Sequence, residues 1–192
     1  MSQTSISAGG QARGDAGEMA DSTPAVVDSG FNEETTELPW GVGLRDGTGE
    51  RQYKLASGFS GTLPITGILL RRANYQQRIT LPNGQTVGDF GGSGLVQYAP
   101  LNVLRKGKVL VPCEAAVTFG HGGWCRGVAT GGGVTEQRGM WRGAARGAAG
   151  PLGASYHVDA SKQTVFRSAS FTAADGTTTV AVLEVDFVNG PF

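Results

Sequence analysis

The sequence predicts an all-β protein, a compact β-barrel or sandwich with an extended N-terminal arm and long Gly-rich loops. Three observations carry this expectation. Glycine supplies 32 of 192 residues, beside eight prolines. That is more than twice the usual share of about 7%, and without a G-X-Y period it signals many tight turns, not collagen. From Trp40 onward, short apolar β-rich runs alternate with turn signals. No window shows a 3.6-residue apolar period, whereas Ala181, Leu183, Val185 and Phe187 alternate with Val182, Glu184 and Asp186, the pattern of a half-buried strand.

Taken in order, residues 1–38 read as the arm and residues 39–192 as the all-β domain. The first thirty residues are small, polar and Gly-rich, with only Ile6, Met19, Val26 and Val27 as sizeable apolar groups. Such a segment buries too little surface to offset an ordering cost of about 1–2 kcal/mol per residue, so it is expected to order only against a partner. Trp40 to Leu44 is a β-rich run followed by a turn at 45–49, and Tyr53-Lys54-Leu55 is the next. Ile65 to Leu70 is the strongest apolar run of the first half. Residues 71–94 read as an excursion with a Pro-Asn-Gly turn at 82–84.

Residues 101–105 and 108–111 read as a tight hairpin, with Gly107 supplying the positive φ of its turn. Residues 115–119 (AAVTF) read as a strand, and the Gly-rich stretch 120–153 as loop. Residues 164–173 and 177–188 flank Asp175-Gly176, a strong hairpin dipeptide.

Charge excludes several function classes. Sixteen Lys and Arg balance sixteen Asp and Glu, for zero formal net charge. Counterion-release binding to nucleic acid needs a clustered basic surface, and membrane docking needs a polybasic patch; neither partner is expected. Charged residues are only 17% of the chain, against about 25% in typical soluble proteins. No run approaches the roughly 18 apolar residues of a membrane span. No secretory signal is visible in residues 1–30, so synthesis in the cytoplasm of the producing cell, with reduced thiols, is expected.

Chemistry is sparse. Cys113 and Cys125 lack the spacing of a metal set and read as reduced, partly buried thiols. His121 and His157 are the only histidines, and His121 reads as a turn residue of a Gly-rich loop, not as a partner for a cysteine nucleophile. In Gly91-Gly92-Ser93-Gly94, Leu95 stands where a nucleophile elbow needs its last Gly. Gly41-Val42-Gly43 lacks the rest of a dinucleotide fingerprint. Arg13-Gly14-Asp15 is a chance tripeptide, and Arg138, Arg142 and Arg146 around Trp141 read as a solvated loop. No catalytic residue, metal or cofactor is expected.

Three passages resemble the structural cement, or decoration, proteins of tailed-phage heads. They are residues 8–22 with 37–48 (ELPWGVGLRDGT), residues 65–71 (ITGILLR), and YAPLNVLRKGKVLVPC (98–113) followed by AVTFG (116–120). A closing strand pair such as 164–188 is also typical of the family. The resemblance implies a non-enzymatic virion protein that binds the outer capsid surface and clamps neighbouring major capsid subunits, often as a homotrimer near local three-fold positions. The expected capsid contacts lie on the arm and its exit: Arg13, Asp15, Met19, Val26, Val27, Phe31 and Trp40. The competing expectation is an adhesion module on the virion surface, with Trp124, Trp141 and Tyr75 forming a glycan platform. A Cys- or His-dependent hydrolase is the third.

Overall fold

The computed structural model describes residues 14–21, 24–57, 64–71, 79–80, 86–87, 94–128, 138–144, 156–174 and 176–189. In chain order the strands are β1 (Val26–Asn32), β2 (Leu38–Pro39), β3 (Gly43–Asp46), β4 (Gln52–Leu55) and β5 (Gly67–Leu70). Then come β6 (Ile79–Thr80), β7 (Thr86–Val87), β8 (Gly94–Leu95), β9 (Pro100–Pro112) and β10 (Gly122–Arg126). The chain closes with β11 (Trp141–Ala144), β12 (His157–Asp159), β13 (Thr164–Phe166), β14 (Phe171–Thr172) and β15 (Thr179–Asp186). The all-β expectation holds.

The main sheet runs β1-β4-β3-β5-β9-β15-β13, and a further β1–β9 pairing closes its first five strands into a ring. Only β1 and β4 run parallel, and they pair over just Phe31 and Asn32. The β3–β4 hairpin turns where Gly47 N donates to Gln52 O at 2.6 Å. Glu33, just past β1, fastens that turn by accepting from Thr48 N at 2.7 Å and pairing with Lys54 at 2.7 Å.

Strand β9 organises the molecule, and it corrects the expectation of a hairpin at 101–111. It is one continuous strand of 13 residues. Gly107 does adopt a positive φ, 137°, but inside the strand. There the neighbours change: β5 pairs with Asn102–Leu104, and β15 takes over from Lys106 to Pro112. Glycine at this point lets the strand change direction between two sets of partners.

The expected strand at 115–119 is also corrected. Residues 114–121 form turns, with His121 N donating to Thr118 O at 3.2 Å. The strand lies just beyond, as β10, between β11 and β12 in a three-stranded sheet, within the stretch expected to be loop. Its glycines serve close approach: a Cβ on Gly123 would stand 2.6 Å from Thr164 Oγ1 and 3.2 Å from the Trp141 ring. The C-terminal hairpin is present, β13 and β14 both pairing with β15. Short strands β6 and β7 pair on either side of the expected turn at 82–84, which itself lies outside the described residues.

Alternation along β5 and β9 builds two cores on opposite faces. Leu69, Leu101 and Val103 pack with Leu38, Trp40, Val42, Leu44 and Leu55. Ile68, Leu104, Val109 and Val111 pack with Cys125, Trp141, Phe166 and Leu183. The Trp141 indole meets its polar need inside the core by donating to Gly41 O at 3.1 Å.

Residues 14–21 lie along β9, and β1 is a strand of the closed ring. Backbone pairing, not side-chain burial, carries this segment, and apolar content gives no sign of it. Hydrogen bonds do not depend on residue type.

Candidate functional site

The described N-terminal residues are fastened one by one. Gly17 N donates to Leu110 O at 2.7 Å, Leu110 N to Glu18 O at 2.9 Å, and Ala20 N to Lys108 O at 3.0 Å. Met19 bridges to Val109. Arg71 holds this segment twice, through its backbone N to Gly17 O at 2.8 Å and its side chain to Asp15 at 2.6 Å. Asp21 pairs with Lys108 at 2.8 Å, and that hydrogen bond raises the lysine's pKa.

Strand β1 then turns apolar side chains outward. Val26, Val27 and Phe31 are 43%, 42% and 49% exposed, and Met19 is 38% exposed. Beside Phe31 the chain returns through Val96 and Tyr98, both exposed, in a turn closed by Ala99 N donating to Val96 O at 3.1 Å. Tyr98 holds a φ of 60° there, and Arg51 a φ of 55°. Left-handed backbone at non-glycine residues is uncommon and persists where surrounding bonds fix it. Tyr98 N donates to Asn32 O at 2.7 Å, and Arg51 O accepts from Phe31 N at 2.9 Å. Asn32 is fully buried and pins the junction, its side-chain amide donating to Leu95 O at 3.0 Å.

Of the residues expected to meet a partner, Met19, Val26, Val27 and Phe31 thus share an exposed border. Asp15 is engaged with Arg71. Trp40 is only 6% exposed and belongs to the core, because the chain turns inward at Gly41, where Gly41 N donates to Leu69 O. Arg13 lies outside the described residues. Sequence reading missed Tyr98, whose signal was an aromatic residue two positions before Pro100, at the edge of a turn.

It also missed a buried ionic cluster. Glu114 sits at the end of β9 and faces Arg126 of β10, Arg142 of β11 and His157 of β12. One carboxylate thereby ties all three strands of the small sheet to the main one. Arg138 is similarly engaged, with Glu34 at 3.1 Å. Arg142 therefore lies in a strand instead of the expected loop, and Arg146 lies outside the described residues.

Reaction chemistry finds little support in this arrangement. Both cysteines are free and buried, and burial pushes the Cys113 thiol up to about 12 and the Cys125 thiol higher still. Thiols so held are poor nucleophiles at neutral pH. Among the described residues no group of three His, Cys, Asp or Glu is placed to hold a metal ion. Trp141 is fully buried and so leaves the expected glycan platform, while Tyr75 lies outside the described residues.

The family of phage structural cement proteins, described as structural cement protein (E217 gp24/Pam3 gp6), matches residues 2–185. This chain belongs to that family. The cement protein is therefore a structural component of the virion with a capsid-stabilising role. Its fold is similar to a chain in the capsid of Myoviridae phage XM1, with a TM-score of 0.58 at 17% identity, covering 91% of each chain. No curated protein matches the cement protein in sequence.

Proposed function

We propose that this cement protein binds the outer surface of the phage head and clamps neighbouring major capsid subunits, as a homotrimer near local three-fold positions. The segment up to residue 38 makes the attachment and residues 39–192 form the body, with residues 14–32 of the attachment segment paired to the body's sheet. The observation that carries this reading is the exposed apolar border of Met19, Val26, Val27 and Phe31 on a segment held in place by β9. Apolar side chains kept at a rigid edge bind a partner without first losing the freedom of a loose tail. The protein acts by contact alone, with no catalysis, cofactor, nucleic acid or membrane.

Purified protein mixed with undecorated capsids should co-sediment with them and raise their rupture temperature. Val26→Asp and Phe31→Asp together should lower both effects while leaving the free protein folded. Unchanged capsid binding by that variant would remove the border from the attachment.

A further inference from the structure

Within the capsid-binding reading, the backbone of β1 points to how the partner is held. Asn32 N donates inward to Ala99 O, whereas Phe31 N donates outward to Arg51 O. Alternation along an antiparallel strand then turns the N–H groups of Gly30 and Asp28 towards β9, and those of Ser29 and Val27 the other way. The β1–β9 register is regular from Val27 to Phe31, so the alternation carries through. On the outward side β4 reaches only Phe31 and Asn32. Past its end, no hydrogen bond meets the outward backbone groups of Val27 and Ser29 among the described residues.

An open edge of this kind recruits other strands, and soluble proteins usually blunt it with Lys, Pro or a covering element. Here the edge carries Val26 and Val27, all four residues from Val26 to Ser29 being exposed. One cation stands at its end. Arg105 pairs with Asp28, Lys106 with Asp186 and Lys54 with Glu33. Exposed Arg51, beside Phe31, has no carboxylate partner among the described residues.

We infer that the outward edge of β1, Val27 to Ser29, accepts an extended segment of a major capsid subunit as an added strand, with an acidic side chain of that segment meeting Arg51. Added strands gain affinity from main-chain hydrogen bonds and specificity from alternate side chains. Val26, Val27 and Phe31 supply the apolar contacts, and the free guanidinium selects for a carboxylate. This rests on the capsid-binding reading and adds the chemistry of the contact.

The test uses the full chain, undecorated capsids and two edge variants. Ser29→Pro removes an outward N–H that the β9 ladder does not use, and proline is tolerated at such an edge. Val27→Lys leaves the backbone intact and puts a charge on the border. Each should bind capsids about tenfold more weakly or worse, the effect of losing one or two hydrogen bonds with their apolar contacts. On capsids, the amides of Val27 and Ser29 should exchange hydrogen more slowly than in the free protein. Equal binding by Val27→Lys, or equal exchange bound and free, overturns the added strand and leaves capsid attachment standing. Failure of the unmodified chain to bind overturns both. Concentration-dependent protection without capsids assigns the edge to a second copy of the chain and overturns the capsid segment. Should Ser29→Pro fail to fold, Val27→Lys and the exchange data decide.

Discussion

A carboxylate oxygen of Glu114 stands 2.5 Å from Nε2 of His157, with the two side chains 3% and 1% exposed. Burial raises the pKa of Glu114, but hydrogen bonds from His157 and Arg126 outweigh it and the net shift is downward. Glu114→Ala removes the carboxylate that pairs with Arg126, Arg142 and His157 in this buried cluster. Breaking a buried pair from one side costs about 3–5 kcal/mol. Urea denaturation should show a loss of that order, and an unchanged midpoint would mean the cluster adds no net stability.

Acid should unfold the protein from its carboxylates. The hydrogen bond from Lys54, with Thr48, lowers Glu33 from 4.5 to about 2. Lys106 and the turn at Asn189 lower Asp186 from 3.8 to about 2. A depressed carboxylate contributes stability that is complete above its unfolded pKa and lost as pH falls through its folded one. The melting temperature should therefore stay level from neutral pH to about 5 and fall between about 4.5 and 2. Glu33→Gln should lower the plateau and flatten the acid limb, and a limb of unchanged slope would show that Glu33 plays no part.

The thiols should be silent. Cys113 and Cys125 are free and buried, so a thiol reagent should label neither until denaturant is added. Replacing both by Ala should cost roughly 1–3 kcal/mol, a packing change and no more. Unfolding by reducing agent alone would contradict this.

Leu183 is fully buried on the inward face of β15. Leu183→Ala should cost about 2–5 kcal/mol. Phe187, on the same face beyond the strand end, is only partly buried and should cost less on truncation. Equal losses would show that the core continues past Asp186.

Two truncations separate the N-terminal residues. Removing residues 1–13 touches none of the hydrogen bonds described above and should leave the melting temperature nearly unchanged. Removing residues 1–32 deletes β1 and opens the ring, so that protein should be insoluble or melt far lower. Equal stability of the two would show that β1 contributes little to the fold.

What sequence reveals here depends on how each element is held. Strand β15 was legible because one face packs and the other meets solvent, so Ala181, Leu183 and Val185 alternate with Val182 and Glu184. Strand β10 was not, because Gly122 and Gly123 lie where Ser161, Thr164 and Trp141 leave no room for a side chain, and glycine in sequence reads first as turn. Gly107 misled in the same way, its positive φ serving a change of partners within β9. On the border, Val26, Val27 and Phe31 stood out as apolar residues in a polar segment. Trp40 looked the same in sequence, and only the inward turn at Gly41 separates it from them. Tyr98 was missed although an aromatic residue stood before Pro100, because the positive φ it adopts is rare outside glycine. Glu114, Arg126, Arg142 and His157 come together only through sheet pairing.

Ser29 of β1 and Asn102 of β9 are directly paired although they stand 73 residues apart in the chain. Long-range pairings of this kind pay their loop entropy before any contact rewards them, and contact order of this sort slows folding. Strand β1 leaves the ribosome early yet cannot dock until β9 has been made. Through that interval β1, with Val26, Val27 and Phe31, has no β9 to pair with, in a chain whose charged share is only 17%. Closure of the ring therefore waits for β9, and the yield of usable protein should depend on synthesis rate and temperature as well as on final stability.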